Sequence, residues 1–276
     1  MSFKAISIFI IILVTAGVAM ASDRTAASLL LVHGYASDPE VWRKSGIVGV
    51  LETNGWHPGG KFLVGADGKF RFDAAFGDSV RRYYLADLPS EAPIRHQGEI
   101  LDTLVSALVR QRPQAVVFAA GHSAGGVALR LAMVWRSSLG IRGLITIAAP
   151  HRGTDTAKLA SFITQTPMAM MTPFVGMGTL NRSQNLYADL APEEEGNFLF
   201  WLNRAKHPRA FYLSIVRESG GLLAMDPVVS SASQDLTQVQ ALGKLAQSIT
   251  SGTGHALETN DGELMAEYLA RWIKGL

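Results

Sequence analysis

Cysteine is absent from the 276 residues. That excludes a disulfide, a thiolate metal site, a cysteine nucleophile and a lipid-modified N-terminal cysteine, and it leaves the core alone to hold the fold. Charge is also scarce. Asp, Glu, Lys and Arg make up 17% of the chain and net +2, with no basic stripe, so a nucleic-acid partner is excluded. Neither a His-x-x-x-His nor a His-Glu-x-x-His pair occurs, and there is no Gly-x-x-x-x-Gly-Lys loop, so neither a metal nor a nucleotide cofactor is expected. Internal repeats are lacking too. A chain of this length, 48% hydrophobic, suits one sizeable domain better than two.

The N-terminus reads as a signal peptide over residues 1–21. Lys4 supplies the positive end, Ala5 to Val18 form an apolar stretch, and Ala19-Met20-Ala21 fits the small-x-small cleavage rule. The mature domain is then 22–276, exported to a periplasmic or extracellular location. The apolar stretch is shorter than the roughly 20 residues of a spanning helix; an uncleaved N-terminal anchor is the alternative.

The run Ser28-Leu29-Leu30-Leu31-Val32 is apolar throughout, as strands buried on both faces are. His33-Gly34-Tyr35 closes it, and Ser37-Asp38-Pro39 opens a helix expected over about 39–54, where Asn54-Gly55 stops it. Residues 55–80, rich in Gly and aromatics, carry no readable period, apart from a turn at Ala66-Asp67-Gly68. Strands follow at about 82–86, 115–120, 141–148 and 210–216, and helices at about 97–112, 125–137 and 261–274. Residues 155–208 lack a strand pattern and read as a helical cap insertion. Strands alternating with helices imply an α/β fold, a mostly parallel sheet wrapped on both faces, with its chemistry at the carboxyl ends of the strands.

Gly121-His122-Ser123-Ala124-Gly125 sits where an apolar strand turns into a helix. Gly-x-Ser-x-Gly alone is moderately specific; this setting is the one the motif requires, a sharp turn that presents the serine beside a helix N-terminus. The bland alternative is a Gly-rich turn with an incidental serine. Gly121 to Gly126, His33-Gly34 and Ala149-Pro150-His151-Arg152-Gly153-Thr154 together resemble the lipase/esterase branch of the α/β-hydrolases, as do Asp189-Leu190-Ala191-Pro192 and the later Phe198 to Asn203. The resemblance covers about 28–276, with residues 55–80 matching nothing in it. It implies an α/β-hydrolase fold and an oxyanion hole built from the backbone N–H groups of Tyr35 and Ala124.

The triad order of that fold is Ser, then an acid, then His. Of seven histidines only His255 lies late, in a Gly-rich loop before the last helix, from which it can reach Ser123 as general base. His151 is a rival. His122 is expected to pack beside the turn and His33 to be a hydrogen-bonded loop residue, while His57, His96 and His207 are expected at the surface. For the acid, Asp226 in Met225-Asp226-Pro227-Val228-Val229 resembles the family's Asp-x-x-Val run; Glu218, Asp155 and Asp235 are alternatives that read more simply as solvated charges.

Met168, Met171 and Phe174 are candidates for an adaptable acyl pocket or a lid, against plain packing of the cap on the body. The expected activity is hydrolysis of carboxylic esters of a small-molecule or lipid-like substrate through an acyl-enzyme, with contact to a lipid interface. The same residues would serve a thioesterase, amidase or polyester hydrolase, because the triad is shared and selectivity lies in the pocket. A non-catalytic protein on a hydrolase scaffold is the reading from another class.

Overall fold

The structure, a computed structural model, describes residues 25–64, 69–155, 183–218 and 226–276. The signal-peptide residues, the turn at 66–68, and Met168, Met171 and Phe174 in the cap lie outside them. No helix among the described residues is long and apolar enough to cross a membrane.

Eight strands form one sheet: β1 (Ala27–Val32), β2 (His57–Val64), β3 (Phe70–Ala74), β4 (Arg81–Ala86), β5 (Val116–His122), β6 (Ile141–Ile147), β7 (Phe211–Val216) and β8 (Ala246–Thr250). Their order is β3-β2-β4-β1-β5-β6-β7-β8. Every neighbouring pair is parallel except β2 with β3. The central strand β1 is buried along its whole length, and its side chains alternate between two cores. Leu30 and Val32 join the face packed by α3 (Ile94–Gln111) and α4 (Ala124–Trp135), while Leu29 and Leu31 join the face packed by α2 (Ile47–Thr53) and the C-terminal helix (Thr259–Lys274). The period of two thus sends one continuous apolar run into both layers.

Three expectations need correction. The helix foreseen over 39–54 is two, α1 (Val41–Lys44) and α2, because Gly46 adopts a left-handed φ of 85° between them. The unreadable stretch at 55–80 contains the β2–β3 hairpin, and β8 adds a parallel edge strand that residues 246–250 did not suggest. Within 155–208 the described parts are helical, α5 (Gln184–Asp189) and α6 (Phe198–Arg204). Among the described residues the remaining α-helices are α7 (Ser231–Gln234) and α8, the C-terminal helix already given.

The loops that matter leave the carboxyl ends of β1, β5, β7 and β8, so Tyr35, Ser123, Asp226 and His255 all emerge on one edge of the sheet.

Candidate active site

Ser123 caps α4 with φ 50° and ψ −126°, a backbone region that non-glycine residues seldom occupy. The surroundings hold it there: its N–H donates to the carbonyl of Ile147 on β6 at 2.9 Å, and its own carbonyl accepts from Gly126 N at 3.0 Å. The glycines of the motif are required by space. A Cβ on Gly125 would stand 2.3 Å from the His33 carbonyl oxygen, and one on Gly121 would stand 2.6 Å from Gly126 Cα. Only glycine lets β5 turn into α4 this close to the β1 loop.

His255 and Asp226 converge on the serine. His255 Nε2 lies 2.9 Å from Ser123 Oγ, and His255 Nδ1 lies 2.8 Å from Asp226 Oδ2. All three residues are buried. Since a carboxylate only accepts, Nδ1 carries the proton toward Asp226 and Nε2 is left to accept from the serine hydroxyl. The other oxygen of Asp226, Oδ1, accepts from the backbone N–H groups of Val228 at 2.8 Å and Val229 at 3.0 Å. The relay is therefore aimed by the chain's own amides. Among the described residues, no cluster of three or more His, Asp or Glu side chains could hold a metal ion.

The β1 loop lies against the serine: a Cβ on Gly34 would fall 2.9 Å from Ser123 Cβ. Tyr35 follows Gly34 in this loop, and Ala124 follows Ser123 at the start of α4. Ala36 next to it takes φ 50°, and the Tyr35 hydroxyl is hydrogen bonded to that of Tyr187 on α5 at 2.6 Å. Burial pushes the Tyr35 hydroxyl pKa up, so it stays a neutral donor or acceptor.

The remaining histidines are placed differently. His122 donates from Nε2 to the backbone carbonyl of His255 at 2.8 Å, so the residue before Ser123 holds the His255 loop; burial pushes its pKa down to about 3 and keeps it neutral. His33 accepts from Leu88 N at 3.1 Å. His151 is buried with Nε2 3.0 Å from Thr146 Oγ1, and the imidazole bonded to Ser123 is that of His255. His57 and His96 are exposed as expected, but His207 is buried, because its ring packs edge-on against Tyr212 with Nδ1 bonded to the Ala205 carbonyl. Of the alternative acids, Glu218 and Asp155 are exposed, and Asp235 caps a short turn by accepting from Thr237 N at 2.9 Å.

Sequence reasoning missed two members of this neighbourhood. Gln234 on α7 donates from Nε2 to Asp226 Oδ2 at 2.9 Å. Arg217, fully buried, donates to both oxygens of Asp261 at 2.7 and 2.8 Å and to the carbonyls of Ser251 and Ala256 around His255. An arginine just after an apolar strand was the available signal.

No protein-family model matches the sequence, and no curated protein matches it in sequence. Solved structures do match in shape. A Bacillus licheniformis lipase in its mature form superposes with TM-score 0.56 at 14% identity, covering 90% of this chain and 92% of that one. A Pyrococcus furiosus esterase gives 0.54 at 14%, covering 91% and 83%, and a Listeria innocua gene product gives 0.55 at 14%, covering 91% and 94%. The chain has the α/β-hydrolase fold. Ser123 stands at the strand-to-helix turn after β5, and Asp226 and His255 stand in the loops after β7 and β8, in the chain order serine, acid, histidine.

Proposed function

We propose that the protein is an exported serine hydrolase that cleaves carboxylic esters, lipid-like acyl esters foremost, through a covalent acyl-enzyme. One observation carries the reading: the unbroken relay from Ser123 Oγ through the His255 imidazole to Asp226, at 2.9 and 2.8 Å. Ser123 Oγ attacks the ester carbonyl while His255 Nε2 takes its proton. The tetrahedral oxyanion is held by the N–H groups of Tyr35 and Ala124, and the imidazolium is stabilised by Asp226. Collapse expels the alcohol, which takes the proton from His255. A water then repeats the sequence on the acyl-enzyme and releases the acid. Tyr35 and Ala124 are supported as donors by the closeness of Gly34 to Ser123 and by the position of Ala124 at a helix N-terminus, where amides point outward.

Export rests on the features of residues 1–21, and the preference for lipid-like acyl chains on Met168, Met171 and Phe174. The fold is shared with a lipase and an esterase, which supports the ester as the bond attacked.

The test is turnover of p-nitrophenyl esters of graded acyl length by residues 22–276, beside Ser123→Ala. Wild type should hydrolyse at least one ester, and the variant should lose activity by a factor on the order of 10⁶. Asp226→Asn should lose about 10⁴-fold in kcat, with Glu218→Gln unchanged. Full activity in Ser123→Ala, or a greater loss from Glu218→Gln than from Asp226→Asn, would overturn these assignments. Thioester turnover without ester turnover would move the substrate class.

A further inference from the structure

The Asp226 carboxylate receives four hydrogen bonds. Two backbone amides hold Oδ1; Oδ2, the oxygen that faces His255, also accepts from Gln234 Nε2. Gln234 is buried and every polar function of its amide is used. Its second N–H donates to the Val229 carbonyl at 2.8 Å, and its Oε1 accepts from the backbone N–H of Arg217 at 2.8 Å. The Arg217 contact fixes the orientation of the amide, because only an oxygen can accept there. Nε2 is therefore forced toward Asp226.

Arg217 joins this acid side to the base side. Its backbone carbonyl accepts from Ser231 Oγ at 2.9 Å, next to Gln234 on the short helix α7. Its guanidinium meanwhile grips Asp261 at the start of α8 and the carbonyls of Ser251 and Ala256, which bracket His255. The backbone of one residue thus anchors Gln234, and its side chain anchors the loop of His255.

We infer that Gln234 is a positioning residue for the relay, holding Asp226 Oδ2 in the plane and at the distance from which it orients the His255 imidazole. The inference rests on the reading of Ser123, His255 and Asp226 given above. A carboxylate whose Oδ1 alone is tied to consecutive amides can still pivot about those bonds; a donor fixed from β7 on Oδ2 removes that freedom. The benefit falls on the transition state, when the imidazole becomes charged, so the signature is in kcat more than in KM.

The experiment is a double-mutant cycle on ester turnover with Gln234→Leu, Asp226→Ala and the double variant. Gln234→Leu should lower kcat about tenfold with KM within about twofold of wild type, the scale of one hydrogen bond to a charged group. In the Asp226→Ala background the same substitution should cost less than about twofold, since its object is gone. A structural role would cost the same in both backgrounds, and equal losses overturn the inference, as does an unchanged kcat in Gln234→Leu. If the leucine variant does not fold, Gln234→Met replaces it. The methionine keeps the length of the side chain and offers a weak sulfur acceptor to the Arg217 N–H but donates nothing to Asp226; its loss should vanish in the Asp226→Ala background, and an equal loss there overturns the role. A wild type with no Ser123-dependent turnover removes the reading of the site and this inference with it. A Ser123-dependent wild type with additive losses removes the role of Gln234 alone.

Discussion

At the scale of single residues the site is made by atoms that are left out as much as by those present. Gly34 has no Cβ, and the Ser123 side chain occupies the place one would take, 2.9 Å from Ser123 Cβ. Gly34→Ala must push the β1 loop away from the nucleophile, carrying the Tyr35 amide with it. We expect a loss of about 10- to 100-fold in kcat, the scale of a weakened oxyanion donor, with KM and the thermal midpoint little changed, read by ester kinetics and calorimetry. Gly125→Ala should behave otherwise. Its Cβ would fall 2.3 Å from a backbone oxygen, which cannot swing aside as a side chain does, so the folded yield itself should drop. Equal behaviour of the two variants would undo this distinction. These residues were legible beforehand because the motif is local: strand, glycine, serine, glycine and helix fall within one short run. His255 was legible by its place late in the chain. Gln234 and Arg217 were not, because their partners lie up to 44 residues away and nothing in their flanking sequence marks the pairing.

Among the elements, legibility followed the balance of burial. Strands buried on both faces, β1 and β5, announce themselves as apolar runs. The β2–β3 hairpin does not, since β3 is largely exposed and its packing is carried by an aromatic cluster, Phe62 with Phe72 at 4.7 Å and Tyr84 at 6.2 Å from Phe72. Gly59 lies flat on the Tyr84 ring, where a Cβ would meet it at 2.4 Å, so the strand spends a poor strand former to seat an aromatic. The edge strand β8 is mostly exposed along AQSIT and has no hydrophobic run to read. The junction of α4 with α6 is of another kind. Arg130 on α4 is fully buried and donates to Asn203 Oδ1 on α6, while Asn203 Nδ2 donates to the His151 carbonyl at 3.0 Å. Asn203→Leu removes an acceptor from a buried cation and should cost about 1.5–3 kcal/mol of stability, whereas the Arg130→Met/Asn203→Leu pair should cost clearly less than the sum of its singles. Urea unfolding of the four proteins decides it; strict additivity would mean that the guanidinium is satisfied elsewhere.

For the whole molecule, the unusual feature is how many imidazoles are sealed in neutral. Burial is the first cause in each case: it holds His122 at about 3 and His207 at about 4, keeps His151 well below the ordinary histidine value, and lowers His33. In the unfolded chain each would take a proton below roughly pH 6.5. Between about pH 6.5 and 4 the unfolded state therefore binds protons that the folded state refuses, and stability rises with pH across that window. The contribution is intact above the unfolded value and is lost as the pH falls, at up to about 1.4 kcal/mol per pH unit for each imidazole. Because unpaired carboxylates titrate lower, near 4, the interval from pH 7 to 5 isolates the histidines. The urea midpoint should fall steeply over that interval, and His122→Phe, which removes one sealed imidazole, should make the slope shallower by about one proton. A midpoint independent of pH between 7 and 5 would mean that these rings are solvated in the folded protein. Activity should part company with stability in the same variant, since His122 also holds the backbone of the His255 loop: His122→Phe should be less sensitive to acid unfolding and yet slower in ester turnover at pH 7. The burial that costs the fold its acid tolerance is the burial that fixes Nε2–H of His122 on the His255 carbonyl.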